Sequence, residues 1–141
     1  RAKDFFINNF QFINCNNNCA IVTDDNFEIK VKSFSLPQHP LGHACFNAID
    51  SISKLERRNN SASITEHSSS STKDYLCTGN SLFIWREPCV MCSMALVHSR
   101  IKRVFFHETN PECGGLMSQV KIGYLKQLNH HFISYQLRKI I

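Results

Sequence analysis

Three residues in this chain have the types and spacing that suit a metal ion: His43, Cys89 and Cys92. Cys89 and Cys92 stand three apart in Glu87-Pro88-Cys89-Val90-Met91-Cys92, ahead of the apolar run Met94-Ala95-Leu96-Val97. The pattern predicts a buried helix with Pro88 in its first turn, where a missing N–H leaves nothing unpaired. Residues three apart on a helix share one side, and the positive end of the helix dipole favours thiolates there. Two thiolates need further ligands. His43, at the start of another apolar-striped segment, is the candidate third; His39 competes, but its place before Pro40 favours an extended loop. Zinc held by one imidazole and two thiolates keeps a fourth position open. Water bound there is acidified to a pKa near ~7.

The elements that must position these ligands can be read in order. Ala2, Phe5, Phe6, Phe10 and Ile13 have helical spacing, which predicts a first helix over residues 2–14. Ala20–Thr23 reads as a strand and Asp24-Asp25-Asn26 as a turn. Phe27, Ile29 and Val31 alternate with Glu28, Lys30 and Lys32, the pattern of a half-buried strand. Leu36–Pro40 is irregular. A helix follows over His43–Arg57, with the stripe Cys45, Ala48, Ile49, Ile52 and Leu55 inward and Arg57-Arg58 at its C-terminus. Residues 59–73 are polar and serine-rich, and predict a flexible insertion. Beyond the turn at Thr78-Gly79-Asn80, Leu82–Trp85 is a strand that feeds the Cys89 helix. Val104–Phe106 and Phe132–Tyr135 are the remaining strands. Asn110–Gly115 is a loop, a short helical piece is expected to cover Leu116–Leu125, and a final helix approaches Ile141. Strand–helix–strand connections favour parallel pairing. The sum is a single domain over residues 1–141, a three-layer α/β/α fold with a mixed five-stranded sheet.

Composition bounds the rest. The chain has 141 residues, 43% hydrophobic and 19% charged, as expected of one globular domain. No apolar run approaches the ~20 residues of a membrane helix. Seven cysteines, an odd number, without a secretion signal favour a reducing compartment, the cytoplasm or the nucleus. Cys15 and Cys19 read as small core or loop residues. The first residue is Arg1, so the expectation is a domain cut from a longer protein. The net charge of +5 suits an acidic partner such as RNA.

Four stretches carry a resemblance. They are His39-Pro40-Leu41-Gly42-His43-Ala44, Tyr75-Leu76-Cys77-Thr78-Gly79, Arg86 through Ile101, and Leu128-Asn129-His130-His131-Phe132. They resemble the cytidine deaminase superfamily, and within it the non-catalytic subunits of the eukaryotic tRNA deaminases that convert wobble adenosine to inosine. The resemblance implies Zn2+ on His43, Cys89 and Cys92, a heterodimer with a catalytic deaminase subunit, and tRNA as the shared substrate. Residues 1–20 and 59–73 carry none of it.

The superfamily's chemistry uses a glutamate two residues after the histidine, as a proton shuttle between zinc-bound water and base. Here that position is Cys45. A thiol is two bonds shorter, has one acceptor atom, and ionises near ~8.5. The implied subunit is therefore inactive alone. Two alternatives stay open: an enzyme using another acid, or a closed structural site with Cys45 as fourth ligand in a Cys3His set. Glu87 precedes Pro88 and Glu108 follows the next strand, so either could lie on the sheet edge near the site, but both are expected at the surface. His98, His107, His130 and His131 lack a cysteine at ligand spacing and read as structural or RNA-facing. Met91, Met94 and Phe105-Phe106 are candidates for a partner-facing edge. Arg100, Lys102, Arg103, Lys121, Lys126, Arg138 and Lys139 are candidates for holding tRNA.

Overall fold

Strands β3 (Ser81–Arg86) and β4 (Arg103–Glu108) form the parallel centre of the sheet, and their side chains alternate between two apolar layers. Leu82, Ile84, Val104 and Phe106 point to one face; Phe83 and Phe105 point to the other. In this computed structural model the described residues are 1–10, 19–36, 38–62 and 77–138, without the side chains of 59–62.

The remaining strands are β1 (Cys19–Thr23), β2 (Ile29–Phe34) and β5 (Ile133–Gln136), and the order is β2-β1-β3-β4-β5. β1 runs antiparallel to β2 and β3, whereas β3–β4 and β4–β5 are parallel, so the sheet is mixed as expected. Helix α1 (Ala2–Phe10) covers the phenylalanine face through Phe6 and Phe10. Helices α2 (Ala44–Ala62) and α3 (Val90–His98) cover the opposite face. These are the three layers. No helix among the described residues is long and apolar enough to cross a membrane.

Several expectations need correction. α2 runs on to Ala62 instead of ending at Arg57, because no glycine or proline interrupts it. The first four residues of the expected insertion are thus helical, and 63–73 lie outside the described residues, as do residues 11–14 of the first helix. Pro88 lies two residues before α3, ahead of the N-cap Cys89. α3 is not wrapped all round: Cys92, Ser93, Leu96 and Val97 are buried, while Met91 and His98 are exposed. Phe27 belongs to the turn, at φ 64°, and packs on the phenylalanine face. Ile29 is exposed beside it, since β2 is an outer strand with one neighbour. Phe105 and Phe106 are core residues of an interior strand and form no edge. Within 116–125 only a 3-10 turn forms, over Ile122–Tyr124. Leu137 and Arg138 are not helical, and residues 139–141 lie outside the described set.

Candidate metal centre

The end of β3 delivers the chain to α3 through Glu87 and Pro88. Cys89 is extended at the cap, φ −65° and ψ 169°, and its sulfur accepts the N–H of Cys92 at 3.4 Å. His43 stands immediately before α2. The two helix starts converge: His43 Nδ1 lies 3.6 Å from Cys89 Sγ and 3.3 Å from Cys92 Sγ. The three ligand atoms all lie within 4.8 Å of one another. Tetrahedral zinc with bonds of about 2.3 Å to sulfur and 2.0–2.1 Å to nitrogen has N···S edges of about 3.6 Å. The donor set therefore fits a zinc-sized ion.

Crowding and burial also act on the two thiols. A hydrogen bond with Cys92, then burial, pushes the Cys89 thiol well up. For Cys92, the neighbouring Cys45 thiol and burial push up against the opposing effect of Cys89, with a net rise. Two thiols so crowded ionise when a dication supplies the charge.

The centre opens into a cleft of about 270 Å³, lined among others by Cys45, Arg86, Glu87, Asn110 and Cys113. His43 is exposed, Cys89 half-buried and Cys92 buried, so the ligands lead from the cleft mouth inward. Cys45 is only 1% exposed and lies beside Cys92. Its sulfur is not in the group of mutually close ligand atoms. His39 accepts the N–H of Leu41 at its own Nδ1, 3.1 Å away, and closes a local turn.

Glu87 is the main correction at the site. It was expected at the surface and is 2% exposed. Its Oε1 accepts the N–H groups of Leu116, Met117 and Ser118, and its Oε2 accepts the N–H of Asn110 and the hydroxyl of Ser118. Burial raises its carboxyl, but the Ser118 hydroxyl and the backbone donors outweigh this and hold it below the usual carboxylate range. The carboxylate is thus fixed as an ionised acceptor with both oxygens engaged. Glu108 is exposed, as expected.

In sequence Cys113 and Asn110 stand out only as loop residues. They reach the cleft because the loop after β4 bridges back to α3: Cys89 pairs with Gly114, and Val90 N–H donates to Cys113 O at 2.9 Å. Asn110 Nδ2 donates to Cys113 Sγ at 3.1 Å, and Arg86 donates to Asn110 Oδ1 at 3.3 Å. No periodicity announces such a contact.

Three of the remaining histidines meet backbone carbonyls, while His98 is exposed. His107 meets Leu137 O at 2.7 Å, His130 meets Ile101 O at 2.6 Å, and His131 meets Gly123 O at 3.3 Å. Lys102 and Arg103 pair with Asp25 at 2.9 and 3.0 Å, while Lys121 and Lys126 are exposed. Lys139 lies outside the described residues.

Residues 11–108 match the cytidine and deoxycytidylate deaminase zinc-binding region. The chain is 36% identical over 115 residues to tRNA-specific adenosine deaminase subunit tad3 of Schizosaccharomyces pombe, a match covering 80% of this chain and 35% of the relative. It is 55% identical over 58 residues to a Danio rerio protein named "Probable inactive tRNA-specific adenosine deaminase-like protein 3", covering 41% of this chain and 17% of that one. The chain therefore spans about a third or less of the length of these curated relatives. A solved chain from a study of A-to-I editing by tRNA:A34 deaminases at the wobble position shares the fold. Its TM-score is 0.67 at 19% identity, covering 85% of this chain and 82% of that chain. With the match extending over residues 11–108, this chain belongs to the cytidine and deoxycytidylate deaminase zinc-binding family.

Proposed function

We propose that this chain is the zinc-binding, non-catalytic half of a two-chain tRNA deaminase that converts wobble adenosine to inosine. The observation that carries the reading is Cys45. It occupies the position of the proton-shuttling glutamate, two residues past His43, and is buried against Cys92. General acid–base help of that kind is worth ~10²–10⁴-fold in rate.

His43, Cys89 and Cys92 would hold the metal. When bound, zinc supplies Lewis acidity and an acidified water. The chain's own groups do not complete that chemistry. Cys45 adds a thiol to the inner wall. Glu87 lines the same cleft, but both its oxygens are occupied by Asn110 and residues 116–118. Arg86 and Asn110 engage each other at the mouth. The proton transfers of deamination therefore belong to a second chain that keeps the glutamate.

The relatives' names support this division, since one is a deaminase subunit and another is named as inactive. The net charge of +5 supports tRNA as the shared substrate, with Lys121 and Lys126 as exposed cations available to phosphates. The test is purification from the source cell under mild conditions. A second deaminase-like chain, bearing a glutamate two residues after its helix-start histidine, should accompany this one. A chain that purifies without such a partner, and ignores one supplied by co-expression, argues against the proposal.

A further inference from the structure

We infer that Glu87 is a positioning residue for the metal: it fastens the loop after β4 to the start of α3 and so fixes Cys89. The inference rests on the reading that the cleft holds zinc.

The fastening is dense. One buried carboxylate takes the amides of Asn110, Leu116, Met117 and Ser118 and the hydroxyl of Ser118. The loop so gathered is sealed to the metal helix at other points. Gly115 N–H donates to Pro88 O at 2.9 Å, Val90 N–H donates to Cys113 O at 2.9 Å, and Cys89 bridges Gly114. The seal leaves no room for side chains. A Cβ on Gly114 would strike the Glu87 carboxylate, and one on Gly115 would approach the Val90 Cα to 2.9 Å.

Glu87 lies two residues before the first thiolate ligand, and its loop contacts reach the residue on either side of Cys89. A glutamine here would turn an amide NH2 toward amide donors, leaving buried N–H groups without acceptors. The loop would then lose its hold on Pro88 and Val90, and Cys89 would lose the frame that aims its sulfur. Groups that orient metal ligands from outside the coordination sphere typically change metal affinity by 10–100-fold when altered.

The test is zinc release to a chromophoric chelator from the full chain, with the visible spectrum of the cobalt-substituted protein beside it. Glu87→Gln should release zinc roughly 10–100-fold faster and shift the cobalt bands. Ser118→Ala, which removes one donor, should accelerate release less and in the same direction. Phe6→Leu, on the opposite face of the sheet, should lower Tm without speeding release. Wild-type release from Glu87→Gln, or equal acceleration by Phe6→Leu at the same loss of Tm, would overturn the inference. If Glu87→Gln does not fold, Ser118→Ala decides: faster release supports the role, unchanged release refutes it. Zinc content of the wild type tests the underlying metal reading separately. A wild type without zinc removes both.

Discussion

The two faces of the sheet are built for different work. On the α1 face, rings stack: Phe83 on Phe105 at 4.6 Å, Phe105 on Tyr135 at 5.0 Å, and Phe6 on Phe10 at 4.4 Å. On the α2–α3 face, smaller side chains such as Ala44, Cys45, Ala48 and Cys92 let two helix starts approach until His43 and two thiolates meet. The same strands serve both, since Phe83 and Phe105 alternate with Leu82, Ile84 and Phe106. Both faces bury apolar side chains, but among the described residues only the α2–α3 face also brings three ligand groups together. Substitution on the α1 face should therefore change stability without changing metal binding.

The largest effect is expected at the metal. Cys92→Ala should reduce zinc from about one ion per chain to a trace and lower the yield of folded protein, because metal binding contributes directly to folding. Metal analysis and circular dichroism check this. On the opposite face, Phe83→Ala removes a fully buried ring and should cost about 3–5 kcal/mol in chemical denaturation. Zinc per folded chain should stay unchanged, and a parallel loss of zinc would merge the two faces into one unit. Cys45→Ala should cost about 1 kcal/mol, typical of a small core change, with zinc retained. Weakened zinc binding would instead make Cys45 a fourth ligand.

The smallest effect sharpens the comparison at the level of single thiols. Cys19 lies on the ring face and Cys77 on the metal face, and burial pushes each up to about 11. At about pH 8 both remain protonated and slow to react. Alkylation followed by mass spectrometry should label exposed Cys113 well before either. Cys19 and Cys77 should stay unlabelled while the fold persists.

Much of this was legible in the chain. The Cys89–Cys92 pair and the strand–helix–strand unit follow from spacing and periodicity, which act within a few residues; His43, 46 positions before Cys89, joins them through the deaminase-like ligand pattern. What escaped depends on contacts between distant segments. Glu87 looks like a surface acid because charged side chains are rarely buried. Its burial is satisfied by amides from a loop more than twenty positions away, as Asn110 shows. Ile29 looks like a core residue because it alternates, yet its strand is the outermost. The helix expected over 116–125 fails where the amides of Leu116, Met117 and Ser118 turn to Glu87.

The most direct measurement is inosine formation at the wobble position of tRNA by the purified, zinc-loaded chain, alone and with its co-purified partner. Without the glutamate that Cys45 replaces, the chain alone should form no inosine above background, whereas the pair should be active. Robust turnover by the chain alone would contradict a non-catalytic role and assign the proton transfers to a group of this chain.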